Sequence, residues 1–254
     1  MTQAQAEAHL CGVIPEETDA RFLSQLLAAY VFTRQFVRGK RVLEIGFGEG
    51  YGANDLADVA QEVIGIDAAP GNIPRAQAKY PRRNLHFLHM EGSVLQFPDA
   101  SFDVVGSFQV IEHIPEPQLV PFLTEIRRVL KREGLCCIST LNLEHNMKPG
   151  KPYNKLCYHE KEFTGPELRA LLARVFPHVE LYGLHLSQSH RFYQRLKRWG
   201  LMKLGPPHLN PVARFYERMS VDDYRARPGV SRAALDLIAV CRVTAPSDET
   251  PSLR

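Results

Sequence analysis

The chain has 254 residues, enough for one substantial core domain with a small elaboration, and its 44% apolar and 23% charged content excludes disordered, collagen-like and coiled-coil classes. A net charge of +3, from 31 basic and 28 acidic side chains, is too small to argue for a nucleic-acid partner by itself. Cys11, Cys136, Cys137, Cys157 and Cys241 lack paired metal spacing and fit buried thiols of a reducing compartment.

The opening "MTQAQAEAHL" has no basic stretch leading into a long apolar run, and no later run approaches a membrane span, so a cytoplasmic chain without integral membrane segments is expected. Residues 1–38 read as an N-terminal helical cap, with Phe22, Leu23, Leu26, Leu27, Tyr30, Val31 and Phe36 close to helical spacing. Residues 39–244 read as the main domain. "RVLEIGFG" predicts a strand ending at Gly46, and "YGANDLADVA" a helix. "EVIGIDAA" predicts a second strand ending at Asp67, followed by a helix over Ile73 to Tyr80. "NLHFLHM" and "SFDVVGSFQV" supply strands three and four; a helix over Pro121 to Lys131, stopped by Gly134, leads to strand five in "LCCISTLN".

The stretch after Asn142 reads as a loop crossing near the site. Thr164 and Glu167 predict a capping box for a helix from Gly165 to Phe176. "HVELYGLHL" and "AALDLIAVCRV" are strand candidates six and seven, residues 187–231 between them form a lid or substrate wall, and 245–254 is a frayed tail. Strands alternating with helices predict an α/β fold, a mostly parallel sheet with helices on both faces and ligand-binding loops at the strand C-termini.

"EIGFGEG" carries Gly46, Gly48 and Gly50, which permit a tight turn and close approach of a ligand to the backbone. Asp67, at the tip of the second strand, can accept hydrogen bonds from both hydroxyls of a ribose; its alternative role is a turn cap before Pro70. The spacing is G-x-G-x-G where a dinucleotide site expects G-x-G-x-x-G, and Glu44 and Glu49 suit a cationic guest better than a diphosphate. S-adenosylmethionine, with an adenosine, a sulfonium and an amine, fits that description.

"VLEIGFGEG", "VIGIDAA", "EGSVLQFPDASFDVV", "FQVIEHI" and "EIRRVLKREGLCCIST", in this order, resemble the motifs of class I S-adenosylmethionine-dependent methyltransferases over Arg41 to Asn142. The likeness extends to the quinone-biosynthesis, or type 11, group and, through "STLNLEHN" and His159, Glu162, Phe163 and Thr164, to a glycosyltransferase-associated group. It implies a Rossmann-like methyltransferase fold of seven strands, the last antiparallel. It also implies a cofactor site in which Glu44, Gly46, Phe47, Gly48 and Gly50 border the methionine end, Asp67 holds the ribose and Ala68 lies beside the adenine. Glu91 and Gly92 would meet the adenine edge, where many relatives have Asp, and Phe108 and Gln109 would end the fourth strand under the cofactor. Glu112 and His113 follow just beyond, with His113 expected in a structural role.

Methyl transfer needs an acceptor lone pair aligned with the S-methyl bond in a dry pocket, and an ordinary hydroxyl benefits from a base. His145 and His159 are the candidate catalytic bases, with Glu144, Glu160 and Glu162 able to orient an imidazole; surface or loop-bridging roles are the alternative, and no metal ligand motif is compact enough to predict a metal. The expected acceptor is a small molecule carrying a hydroxyl, such as a saccharide, a secondary metabolite or an anionic conjugate. A quinone or lipid carbon is the alternative acceptor, and a non-catalytic RNA-binding or scaffolding module on the basic helix near Arg191 to Lys203 the non-enzymatic one. In the 187–231 segment, Phe192, Tyr193, Trp199, Phe215 and Tyr216 either wall the acceptor pocket, with Arg191, Arg195, Lys197 and Arg198 attracting an anion, or form the segment's own core and wet face.

Overall fold

A computed structural model describes residues 13–147, 150, 152–201 and 209–245, with the backbone alone described at 191, 194, 198, 216 and 217. Among the described residues eight strands form one sheet: β1 (Arg41–Ile45), β2 (Glu62–Asp67), β3 (Leu85–His89), β4 (Phe102–Phe108), β5 (Leu130–Leu141), β6 (His178–Leu186), β7 (Tyr224–Pro228) and β8 (Asp236–Arg242). Their spatial order is β3-β2-β1-β4-β5-β8-β6-β7. The first five pair in parallel, while β8 runs antiparallel to both β5 and β6. The expected count of seven is exceeded by β7, which the 187–231 segment adds at the sheet edge against β6.

Eight helices are described: α1 (Ala20–Val37), α2 (Tyr51–Ala57), α3 (Asn72–Lys79), α4 (Leu119–Val129), α5 (Leu143–Asn146), α6 (Gly165–Leu172), α7 (Gln188–Arg198) and α8 (Pro211–Glu217). Strand alternation divides the core. Leu43, Ile45, Ile64 and Ile66 face a layer with Phe122, Ile126 and Leu168 of α4 and α6, whereas Val42 and Val63 face Ala29, Tyr30, Leu56 and Ala76 of α1, α2 and α3. Order reverses between β1 and β4, so their C-terminal tips flank the crevice where open α/β sheets take ligands.

Local chemistry explains the boundaries. Asp19 caps α1 by accepting from the Arg21 and Phe22 amides, and Thr164 with Glu167 makes the predicted capping box on α6. α6 ends at Leu172 rather than at Phe176, the chain continuing to Phe176 in turns. Gly134 does not stop α4: the helix gives way directly to β5 at Leu130, and Gly134 lies within that strand where a Cβ would meet the Lys131 and Asp103 carbonyl oxygens at 2.9 and 3.0 Å. Cys136, Cys137 and Cys241 are buried, but Cys157 is exposed on the 143–163 loop, against the expectation of burial. No helix among the described residues is long and apolar enough to cross a membrane. Cys11, the opening decapeptide and residues 246–254 lie outside the described residues.

Candidate functional site

Glu44 sits two residues after Val42 and so faces α1. It is fully buried; Oε1 accepts a hydrogen bond from the Tyr30 hydroxyl at 2.7 Å, and Oε2 has no partner among the described residues. Burial pushes its carboxyl up to about 8 against the lowering effect of that hydrogen bond, and nearby Asp67 and Asp55 add to the rise. Tyr30 in turn packs its ring against Phe108 at 4.1 Å and edge-on to Tyr51 at 6.0 Å.

Past Ile45 the backbone turns through Gly46, Gly48 and Gly50 at φ of +78°, +55° and +82°, a region that side chains with a Cβ avoid. A Cβ on Gly46 would stand 2.5 Å from Val110 Cγ2. Phe47 is 2% exposed and packs its ring 4.7 Å from that of Phe87, leaving its backbone as the part able to meet a ligand. Asp67 Oδ2 accepts from the Gly48 amide and Oδ1 from the Ala69 amide, both at 2.8 Å. The carboxylate therefore braces the glycine turn and keeps further lone pairs for a ligand. Burial raises its pKa, and these two backbone bonds oppose the rise.

Around that tip, Ala68 and Glu91 are exposed and Gly92 is half-buried. Glu49, expected to colour the turn with negative charge, is itself paired with Arg75 at 3.1 Å. Phe108 ends β4 buried, and Gln109 follows at φ +55°, unusual for a residue with a side chain and a mark of local strain at this strand tip.

Against Phe108 and Gln109 opens a cavity of about 790 Å³. The segment from Val13 to Tyr30 forms one wall, Tyr51 and the Glu112–His113 turn another, and the loop from Leu141 to His159 a third, with Asp236 closing the space. Gly46, Gly48 and Asp67 lie outside its walls. The arrangement is a crevice at the β1 and β2 tips adjoining a separate cavity through Tyr51, Phe108 and Gln109.

Two buried carboxyl groups face this cavity. Asp236 Oδ2 accepts from the Gln25 amide at 2.9 Å, and burial pushes Asp236 up to about 7. Glu112 is 1% exposed, and burial pushes it up to about 8. The Thr140 hydroxyl eases that charge without a hydrogen bond of proper geometry, so Glu112 Oε2 has no donor among the described residues. The Glu112 carbonyl accepts from the amides of Glu160 and Lys161 at 2.8 and 3.1 Å, which fastens the loop and brings His159 to the carboxyl.

His159 is buried, and its Nδ1 lies 2.7 Å from Glu162 Oε1, the orienting carboxylate among those expected; the Tyr153 hydroxyl also donates to Glu162. His145 is exposed on α5, with Nδ1 3.2 Å from the Arg232 carbonyl. His113 Nδ1 lies 3.1 Å from the Tyr158 carbonyl, and burial lowers its pKa.

None of the cavity walls among the described residues comes from 187–231. Phe192 and Trp199 are 58% and 76% exposed, and Tyr193 stacks on Phe215 at 3.9 Å, so these aromatics serve the segment's own packing and its surface rather than the cavity. Arg195 and Lys197 are exposed; the side chains of Arg191, Arg198 and Tyr216, with Lys203 and residues 205–208, lie outside the described residues. Sequence reasoning missed Tyr30, Gln25 and Asp236 as site residues. Tyr30 carries only the signal of a core position on an amphipathic helix, and Asp236 that of a polar residue opening an apolar strand.

Residues 43–138 match the family model described as a methyltransferase domain. A probable S-adenosylmethionine-dependent methyltransferase of Mycolicibacterium smegmatis is 41% identical over 134 residues, covering 53% of this chain and 50% of the relative. A ubiquinone biosynthesis O-methyltransferase of Cereibacter sphaeroides is 36% identical over 131 residues, 51% of this chain and 50% of the relative. The chain thus spans about half the length of the curated relatives it matches. In structure it is similar to an S-adenosylmethionine-dependent methyltransferase of Thermotoga maritima, with a TM-score of 0.62 at 16% identity over 93% of this chain and 99% of the other, a likeness of fold.

Proposed function

We propose that this chain, which carries a class I S-adenosylmethionine-dependent methyltransferase domain related to those of quinone biosynthesis, transfers the cofactor's methyl group to a hydroxyl oxygen of a small polar acceptor. A sugar or an anionic conjugate is the class of acceptor the cavity favours. The observation that carries this reading is the grouping of Glu112, Asp236, His113, His145 and His159 around one space beside Gln109. An apolar guest would leave Glu112 Oε2, the buried atom of this group without a donor among the described residues, unsatisfied at about 1–3 kcal/mol, whereas a hydroxyl supplies a donor. Arg21 on the N-terminal wall suits a carboxylate or phosphate on the acceptor.

The crevice fits the cofactor. Asp67 retains lone pairs for ribose hydroxyls, and Gly46 and Gly48 hold the turn beside it at positive φ with no side chain over its backbone. When bound, S-adenosylmethionine supplies a methyl group with its own leaving group. The residues of this chain orient the acceptor, exclude water and take a proton: as the O–CH3 bond forms the S–CH3 bond breaks, sulfur keeps the electron pair, and the hydroxyl proton leaves on an imidazole. His145 and His159 are the imidazoles assigned to that proton, and α1 with the segment before it caps the cavity.

A phenolic hydroxyl is a second reading, supported by the ubiquinone biosynthesis O-methyltransferase among the relatives, and it requires less of a base. Both are tested by incubating the full chain with methyl-labelled S-adenosylmethionine and a panel of glycosides, sugar acids, catechols and quinones, followed by mass spectrometry. Label on a glycoside or sugar-acid oxygen supports the first reading and label on a catechol oxygen the second. Label on carbon, or S-adenosylhomocysteine binding absent by calorimetry, rejects both.

A further inference from the structure

The segment between β6 and β7 differs in charge from the rest of the chain. From Ser187 to Tyr216 there is no Asp or Glu, while Arg191, Arg195, Lys197, Arg198, Lys203 and Arg214 supply six bases. The remainder holds 25 of the 31 bases against all 28 acids, so a net charge of +3 divides into +6 on this segment and −3 on the body. Arg195, Lys197 and Arg214 are exposed. The match to the methyltransferase domain ends at residue 138, well before this segment.

Apolar side chains stand in water among these bases. Trp199 is 76% exposed and Leu209 70%, the two most exposed large apolar side chains among the described residues, and Phe192 is 58% exposed. Trp199 caps α7, its amide donating to the Arg195 carbonyl at 3.1 Å, so helical spacing extends to it. Phe192 and Trp199 are seven residues apart, two helical turns, and therefore share one face of α7, with Arg195 on its flank. Another face packs on α8: His190 is buried, and Tyr193 stacks on Phe215. Asn210 Nδ2 donates to the Leu201 carbonyl at 2.7 Å, which holds Leu209 near the end of α7 that carries Trp199. One such side chain needs no explanation, but three of them beside a run of bases form a patch.

We propose that the face of α7 bearing Phe192 and Trp199, together with Leu209, docks on the surface of an anionic lipid bilayer. The rings and Leu209 enter the boundary between headgroups and acyl chains, where the indole keeps its N–H among polar groups. Arg195 and Lys197 lay their stems along the apolar face and carry their charges to lipid phosphates. With no acid between Ser187 and Tyr216, nothing in the segment opposes that attraction. RNA would meet the bases equally well, but it engages exposed rings by base stacking, and the aliphatic Leu209 offers no stacking plane. The docking face has a fixed place relative to the cavity. The Ser187 amide, just before α7, donates to the Asp223 carbonyl at 2.7 Å, and the neighbouring Tyr224 hydroxyl donates at 2.7 Å to the carbonyl of Arg21, a residue of α1 on the cavity wall. Docking thus sets the N-terminal wall of the cavity beside the lipid. That bears on the acceptor only through the methyl-transfer reading; docking itself does not rest on it.

Trp199 is the single tryptophan of the chain, so its emission reports on the patch directly. The test mixes the full chain with vesicles of phosphatidylcholine and phosphatidylglycerol, three parts to one, and with vesicles of phosphatidylcholine alone, following Trp199 emission and cosedimentation. A blue shift and cosedimentation are expected with the mixed vesicles, with affinity falling as salt is raised and about 10-fold or more weaker on phosphatidylcholine alone. The double variants Trp199→Ala with Leu209→Ala, read by cosedimentation, and Arg195→Glu with Lys197→Glu should each lose about 10-fold or more. Val94→Ser, which alters an exposed apolar side chain elsewhere, should leave binding unchanged. Circular dichroism verifies the fold of each variant. Absence of binding to the mixed vesicles, equal binding to both kinds, or wild-type affinity in the folded Trp199→Ala, Leu209→Ala variant overturns the proposal. An emission shift with polyuridylate and none with vesicles overturns it in favour of RNA, and a shift on raising the chain's concentration but none with vesicles does so in favour of a second copy. Docking by a chain that does not bind S-adenosylhomocysteine rejects the methyl-transfer reading and leaves the lipid surface standing.

Discussion

The Tyr30 hydroxyl donates to Glu44 Oε1 across 2.7 Å, and this bond fastens the N-terminal helix to the first strand at the point where the cofactor crevice meets the acceptor cavity. Both partners are buried, and Glu44 Oε2 has no donor among the described residues. Tyr30→Phe therefore strips the carboxyl of its remaining side-chain partner. We expect a stability loss of about 1–3 kcal/mol in urea unfolding and a weaker affinity for S-adenosylhomocysteine. Unaltered unfolding and affinity would show that Glu44 is satisfied without the tyrosine.

Asp67 has two duties, bracing the Gly48 and Ala69 amides and offering its outer lone pairs to a ribose. Asp67→Ala loses both and should weaken S-adenosylhomocysteine binding by 10-fold or more in calorimetry. Gly48→Val should weaken it further, because φ of +55° is strained for a β-branched residue and the new side chain crowds the turn. Wild-type affinity in both folded variants would move the cofactor site away from this turn.

The parts of the molecule that the sequence made legible are those governed by short-range pattern. The short apolar runs Val42 to Ile45 and Val63 to Ile66, the glycine turn and the Thr164–Glu167 box are local signals, and the structure places them as expected. The extra strand β7 was hidden because "YRARP" is short, polar and half-exposed, an edge strand held by pairing with β6 rather than by an apolar face. The cavity was hidden for another reason. Tyr30, Glu112, His159 and Asp236 are brought together by contacts spanning most of the chain, such as the Glu160 amide on the Glu112 carbonyl and Gln25 on Asp236, and no local period encodes them. The aromatic 187–231 segment drew attention through composition, yet Tyr193 and Phe215 stack on each other and Phe192 and Trp199 face solvent.

Glu44 also sets a pH dependence. Its carboxyl titrates near 8 in the folded chain against an ordinary value of 4.5, so between those limits the folded chain holds a proton that the unfolded chain has released. Stability from this group is thus full below about pH 4.5 and lost as pH rises toward 8, with a slope of up to roughly 1.4 kcal/mol per pH unit. Glu44→Gln keeps an acceptor for Tyr30 and removes the titration. Its stability should fall less steeply than that of the wild type across this window, although Asp236, pushed up to about 7, still contributes with the same sign. Parallel wild-type and variant profiles in denaturant titrations at several pH values would refute the assignment.

Gly52 in α2 lies directly under Tyr30. A Cβ added there would stand 2.0 Å from Tyr30 Cζ and 2.1 Å from Cε1, and the ring has little room to move between Phe108, Tyr51 and its bond to Glu44. Gly52→Ala should therefore cost about 1–3 kcal/mol of stability through overpacking, despite the better helix propensity of alanine. The same displacement pulls the tyrosine hydroxyl from Glu44, so cofactor affinity should fall with it. If the ring is the obstacle, the cost disappears when it is removed: in a Tyr30→Ala background Gly52→Ala should be neutral or slightly stabilising. Equal costs in the two backgrounds, measured as a double-mutant cycle, would place the obstruction elsewhere.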